Sequence, residues 1–164
     1  MIFQKTITVS LNINPKYLHR DLILLHINDY LNKNVLNNCF HNMGKILKIN
    51  KIVSVGLGKI HIDTGYAQTP VTFIADIFMP KTDEIIKGTI EKYDTNGGVY
   101  VNYDNIISIY CLSNNINAIL NKKKNERYGG SDNDTDRNIG MNINVKITKV
   151  NINDQNMIVI GKII

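Results

Sequence analysis

Glu84-Ile85-Ile86-Lys87-Gly88-Thr89-Ile90-Glu91-Lys92-Tyr93-Asp94-Thr95-Asn96-Gly97-Gly98-Val99-Tyr100-Val101-Asn102-Tyr103 is the stretch on which the fold of this chain turns. Residues 84–93 predict a strand, the Asp-Thr-Asn-Gly-Gly run is a strong turn signal, and 99–103 predict the return strand. A third strand is expected over 106–112. A polar stretch, 113–138, then separates it from two last strands, 141–150 and 157–164, with Asn153-Asp154-Gln155-Asn156 turning the chain between them. Five short strands with one long polar insertion after the third fit an OB-type barrel.

Working back from this hairpin, Met79-Pro80-Lys81-Thr82-Asp83 interrupts two strand patterns and is the best boundary in the chain. It divides the sequence into domains 1–80 and 81–164. The first half opens on a period-two strand. Phe3, Ile7, Val9, Leu11 and Ile13 alternate with Gln4, Thr6, Thr8, Ser10 and Asn12. Asn14-Pro15 stops the strand and supplies a good N-cap and first helical residue. A helix is therefore expected from Pro15 to about Leu36, with Leu18, Leu22, Ile23, Leu25, Ile27, Tyr30 and Leu31 forming a wide apolar face. Gly44 leads into a second strand region. A glycine-punctuated segment, 56–65, follows with a short alternating strand inside, and Val71, Phe73, Ala75, Ile77 and Met79 mark another strand. The expected first domain is α+β, one helix on an antiparallel sheet.

The chain has 164 residues and 18.6 kDa, 43% hydrophobic and 20% charged, which is a globular composition. No apolar run approaches a membrane span, and Met1 to Thr6 alternate rather than forming the apolar core of a secretion signal. With only Cys39 and Cys111, and no metal-ligand spacing, reduced thiols inside a cell are expected, with no cofactor and no metal. Nineteen basic residues face 14 acidic ones; residues 1–80 carry 8 and 4, residues 81–164 carry 11 and 10. This mild basic excess favours polyanionic partners. Ile and Asn make up about a third of the chain, far above ordinary usage. Both have A/T-rich codons, so genome composition explains the bias.

Catalytic signatures are missing: no G-x-S-x-G, no H-E-x-x-H, no Walker lysine loop. His61 and Asp63 could share a strand face as base and orienting acid, but a surface strand explains the pair better, and a non-enzyme is expected. Asp132, Asp134 and Asp136 have EF-hand spacing, yet Arg137 and Ile143 stand where glycine and glutamate belong. Gly56 and Gly58 lack the third glycine and the helix of a dinucleotide loop and read as a tight excursion pressed against another protein. Lys122, Lys123, Lys124 and Arg127 form the dense basic cluster, placed in the longest insertion of the expected barrel, where it would hold phosphates. Tyr100 faces opposite to Val99 and Val101.

The order of these parts resembles the stalk subunit of multisubunit DNA-directed RNA polymerases, the family that spans the archaeal stalk protein and the seventh subunit of eukaryotic RNA polymerase II. The resemblance spans essentially the whole chain. It rests on Leu11-Asn12-Ile13-Asn14-Pro15 with the helix after it, Gly44-Lys45-Ile46-Leu47, Gly58-x-Ile60, Gly65-Tyr66-Ala67 and Val71. In the second half it rests on Phe78-Met79-Pro80, Glu84 through Ile90, and the closing Val145-Lys146-Ile147 with Ile160-Gly161-Lys162-Ile163.

The resemblance implies a non-catalytic subunit. Its first domain would dock on the polymerase core, at the largest subunit and a clamp-proximal small subunit, through Gly56, Gly58, Lys59, Ile60, Gly65 and Tyr66. Its OB domain would touch nascent single-stranded RNA. The family's two base-stacking positions fall here on Asn96 and Val99, which predicts mainly electrostatic contact by Lys87, Lys92, Lys122, Lys123, Lys124 and Arg127, with Tyr100 beside them. In relatives a second, helical stalk protein pairs with this one. The A/T-rich signature fits a large DNA virus or a similarly biased genome, placing the polymerase in a nucleus or, for a virus, in host cytoplasm and virion. The reading from another class is a free single-strand-binding OB protein in RNA handling or translation.

Overall fold

The structure is a computed structural model and describes residues 1–40, 43–94, 97–112, 138–153 and 156–164. The chain divides into two compact units, Met1–Met79 with Asn153–Asn156, and Pro80–Ile152 with Met157–Ile164.

The first unit is an antiparallel sheet with one helix. Strand β1 (Ile2–Ile13) runs its full length against β5 (Ala67–Phe78), and β5 also pairs with β3 (Gly44–Val55). Two-residue strands β2 (Cys39–Phe40) and β4 (Lys59–Ile60) pair with β3 and β5 respectively. The helix does not begin at Pro15. Asn14 caps a single 3-10 turn, Pro15–Tyr17, accepting from the Lys16 N–H at 3.1 Å. His19 is then extended (φ −64°, ψ 138°), which breaks the helical ladder, and α1 (Arg20–Asn34) starts afresh after it. The apolar face is also narrower than its composition suggests. Ile27, Leu31 and Val35, four apart, are buried with Phe73, Ala75 and Ile77, whereas Leu22 and Leu25 stay 46% and 64% exposed. One sheet contact needs only one stripe of a helix.

Strand β3 shows a pattern that simple alternation conceals. Its sequence is a triplet repeat, Lys45-Ile46-Leu47, Lys48-Ile49-Asn50, Lys51-Ile52-Val53, then Ser54-Val55. The register against β5 slips once per triplet: Lys45 and Ile46 oppose Phe78 and Ile77, Lys48 and Ile49 oppose Asp76 and Ala75, Lys51 and Ile52 oppose Ile74 and Phe73. Each third residue is a bulge. A three-residue period is thereby laid against a two-residue one. Ile46, Ile49 and Ile52 all pack toward the core, and the three lysines all fall on the other face.

The second unit is a closed five-stranded barrel of mixed pairing, OB-like in kind. Its strands are β6 (Ile85–Tyr93), β7 (Gly98–Tyr103), β8 (Ile107–Leu112), β9 (Asn142–Ile152) and β10 (Met157–Ile163), in the order β10-β8-β7-β6-β9. Neighbours are antiparallel except β10 and β8, whose parallel pairing joins the third strand to the fifth. Alternate residues fill the interior, among them Ile90, Val101, Ile109, Val145, Ile147 and Val159. Burial of each such aliphatic side chain contributes roughly 1.5–3 kcal/mol. Asp104 and Asn105, both at positive φ (48° and 57°), turn β7 into β8, with the Ile106 N–H on the Tyr103 carbonyl at 2.8 Å. No helix among the described residues is long and apolar enough to cross a membrane.

Candidate nucleic-acid interface and docking loop

On the barrel, the outward residues of β6, β7 and β8 form an aromatic–cationic platform. Val99 and Val101 are fully buried, so Tyr100 between them points outward. Its register partner on β8 is Tyr110, also flanked by two buried residues, Ile109 and Cys111. The two rings meet with centroids 5.0 Å apart and planes tilted by 49°. On the other side of Tyr100 its partner is Lys92, whose Nζ lies 4.7 Å from the ring centroid. Lys92 reaches this face only because the ladder slips at Glu91. Without the bulge Lys92 would share the inward phase of Ile86, Gly88 and Ile90; with it, Lys92 turns out and Tyr93 turns toward the core.

Tyr110 is held from two directions. Its hydroxyl donates to Asp94 Oδ2 at 3.0 Å. Its ring lies over Gly98, where an added Cβ would sit 2.5 Å from ring carbons, so only glycine leaves room for it. The hydrogen bond to Asp94, reinforced by partial burial and the carboxylate charge, raises the Tyr110 phenol above its ordinary value. Tyr100 and Tyr110 are each half-buried. Lys87 and Thr89 continue the outward row on β6, with Thr89 donating to Asn142 Oδ1 at 3.0 Å.

Of the residues singled out in the sequence, Lys92 and Tyr100 come together here, and Lys87 is exposed on the same strand. Lys122, Lys123, Lys124 and Arg127 lie outside the described residues, as do Asn96 and the Asp132–Asp134–Asp136 series. Val99 belongs to the core, so it is no stacking position whatever side chain it carries. Tyr100 and Tyr110 place two aromatic rings beside Lys92 on this face. Tyr110 is absent from the sequence-predicted residues, although its place between Ile109 and Cys111 carries the same alternation signal as Tyr100.

In the first unit, residues 56–66 form a hairpin arm off β5. Gly56 donates to the Pro70 carbonyl at 2.8 Å, Lys59 and Ile60 pair with Gln68 and Ala67, and the Gly65 N–H returns to the His61 carbonyl at 2.7 Å. Gly58 runs so close to β5 that a Cβ there would lie 2.5 Å from Thr69 Oγ1. The arm presents Leu57 and Ile62 at 96% and 97% exposure, with Ile60 at 68%. These aliphatic side chains are the exposed apolar groups of the arm, and the glycines shape it. Leu57 and Ile62 escape a reading of the sequence because their neighbours mark the segment as a glycine loop. Next to them an open cleft of about 330 Å³ is lined by Asn12, His61, Thr64 and Tyr66. His61 Nε2 sits 3.2 Å from Gln68 Oε1.

Both cysteines are buried, and burial raises both thiols, Cys111 to about 12; Lys45 partly offsets the effect at Cys39. Among the described residues no three His, Cys, Asp or Glu side chains gather as a metal site. No family model matches the chain, and no curated protein gives a significant match.

Proposed function

We propose that this chain is a non-catalytic stalk subunit of a multisubunit DNA-directed RNA polymerase. The first unit is its docking domain and the barrel its RNA-contacting OB domain. The observation that carries the reading is the outward Tyr100–Tyr110 pair with Lys92 on barrel strands β6 to β8, the face such barrels offer to single strands. Two rings can each accept a base, while Lys92, Lys87 and the basic cluster 122–127 supply charge for phosphates.

The arm 56–66 supports docking. Leu57, Ile60 and Ile62 together leave a solvated aliphatic tip, which gains on the order of 5 kcal/mol before association costs when covered. Its partners would be the largest subunit and a clamp-proximal small subunit, with a second stalk protein as a further candidate. The polymerase would work in a nucleus or, for a virus, in host cytoplasm and virion.

A free single-strand-binding protein is the second reading, favoured by a platform built entirely within the barrel unit. Capture of the tagged chain from its native cells, beside Leu57→Asp/Ile62→Asp, separates the two. A stalk subunit brings the other polymerase chains with it and loses them in the variant. A free binder brings none and keeps its RNA.

A further inference from the structure

We propose that the free chain pairs with a second copy of itself through the outer edge of β1, joining two first-unit sheets into one continuous antiparallel sheet. β1 lies at the end of its sheet, with β5 on one side and no strand on the other among the described residues. Hydrogen bonds at its start fix which backbone groups face that open side. The Met79 N–H donates to the Met1 carbonyl at 3.0 Å and the Met1 ammonium to the Met79 carbonyl at 3.4 Å, so these two residues form a bonded pair. The register then runs without a slip from Ile2 opposite Phe78 to Ile13 opposite Ala67. Bonded pairs recur at every second residue, so Phe3, Lys5, Ile7, Val9, Leu11 and Ile13 bond to β5. The N–H and C=O groups of Ile2, Gln4, Thr6, Thr8, Ser10 and Asn12 point the other way, and all six residues are exposed.

A sheet edge left long and flat invites another strand, and proteins usually blunt such edges with bulges, prolines or charges. On the other flank of β5, β3 follows that rule, slipping three times in its register. β1 has no slip, no proline and a single charge, Lys5. Its sequence also fits itself. Turned antiparallel about Ile7, the one register that pairs all six outward residues sets Thr6 against Thr8, Gln4 against Ser10 and Ile2 against Asn12. On the core side Ile7 meets Ile7, Phe3 meets Leu11, and the alkyl stem of Lys5 meets Val9. The two Lys5 ammoniums then stand four residues apart along the strands, about 14 Å, beyond the screening length of about 8 Å in physiological salt. An unlike chain adding a strand is the competing occupant. A second copy is favoured because a foreign strand would not require β1 to complement itself. The arm 56–66 joins β5 through β4, on the flank away from β1, so the self-pairing edge and the docking arm are separate.

Sedimentation equilibrium of the whole chain between about 5 and 500 µM tests this. The mass should rise from 18.6 kDa toward twice that value. Thr6→Pro removes an outward N–H and no bond to β5, so the dilute variant should unfold in urea close to the parent's midpoint. It should raise the dimer dissociation constant on the order of 30-fold, because each dimer loses two hydrogen bonds. Thr6→Val keeps the N–H and should dimerise within about threefold of the parent. Residue-resolved amide exchange of the parent gives a second readout that needs no variant. From dilute to concentrated protein, Gln4, Thr6, Thr8 and Ser10 should gain protection, whereas Lys5, Ile7 and Val9, bonded to β5, are protected throughout. A chain that stays at 18.6 kDa over the whole range overturns the proposal. So does a dimer that Thr6→Pro leaves unweakened, or one in which those four amides exchange as fast as in dilute solution. None of these results touches the stalk reading, which rests on the barrel platform and the arm.

Discussion

Replacing Tyr100 by alanine should separate recognition from stability in the barrel. The side chain is half-buried on the outer wall, with Lys92 Nζ 4.7 Å and the Tyr110 ring 5.0 Å from its centroid, and it contributes nothing to the interior. An exposed cation–π contact is worth roughly 0.5–1 kcal/mol and an aromatic pair about 0.5–1.5 kcal/mol, so the fold should lose at most about 2.5 kcal/mol. A base stacked on the ring is worth about 1–3 kcal/mol, which makes oligo(U) binding roughly 5- to 150-fold weaker. Tyr100→Phe keeps the ring and should bind within about twofold of the parent. Urea denaturation and anisotropy on the same preparations report the two quantities. A Tyr100→Ala protein that binds as tightly as the parent while Lys87→Gln/Lys92→Gln abolishes binding would refute a stacking role for this platform.

Other substitutions test the framework. Gly98→Ala drives a methyl into the Tyr110 ring, so it should cost about 1–3 kcal/mol in urea denaturation and weaken oligo(U) as Tyr110→Ala does. In α1, Leu31→Ala should cost about 2–5 kcal/mol, whereas Leu25→Gln should stay within about 0.5 kcal/mol, because Leu31 is fully buried and Leu25 is not. Cys111 should resist alkylation at pH 8 until the protein is unfolded. Its folded pKa of about 12 lies above the unfolded thiol's, so its contribution to stability is complete below about pH 8.5 and is lost as pH rises from there toward 12, measurable by denaturant midpoints across that range.

Much of this architecture is legible in the residues. The alternation of Ile7, Val9, Leu11 and Ile13 marks a strand that the structure extends from Ile2 to Ile13, and the Gly97-Gly98 turn joins the two strands expected around it. What escapes sequence reasoning has a common physical cause, the bulge. A bulge adds one residue and reverses every side chain beyond it, so the lysines of β3 read as scattered until the pairing is known. The late start of α1 has a different origin. Asn14-Pro15 does cap a turn, but the extended His19 closes that turn after a few residues, and nothing at His19 itself announces it. Side chains whose value lies in being left uncovered are the hardest to see. Leu57 and Ile62 look like ordinary apolar residues until the arm holds them in solvent.

Membership in a transcribing machine is the central claim, and the reverse purification tests it most directly. The active RNA polymerase is isolated from the native cells through a tag on its largest subunit, and the 18.6 kDa chain is quantified by mass spectrometry against the other subunits. The account predicts about one copy per polymerase, lost when Leu57 and Ile62 are both replaced by aspartate. A polymerase of full activity with no trace of this chain in it would contradict the account.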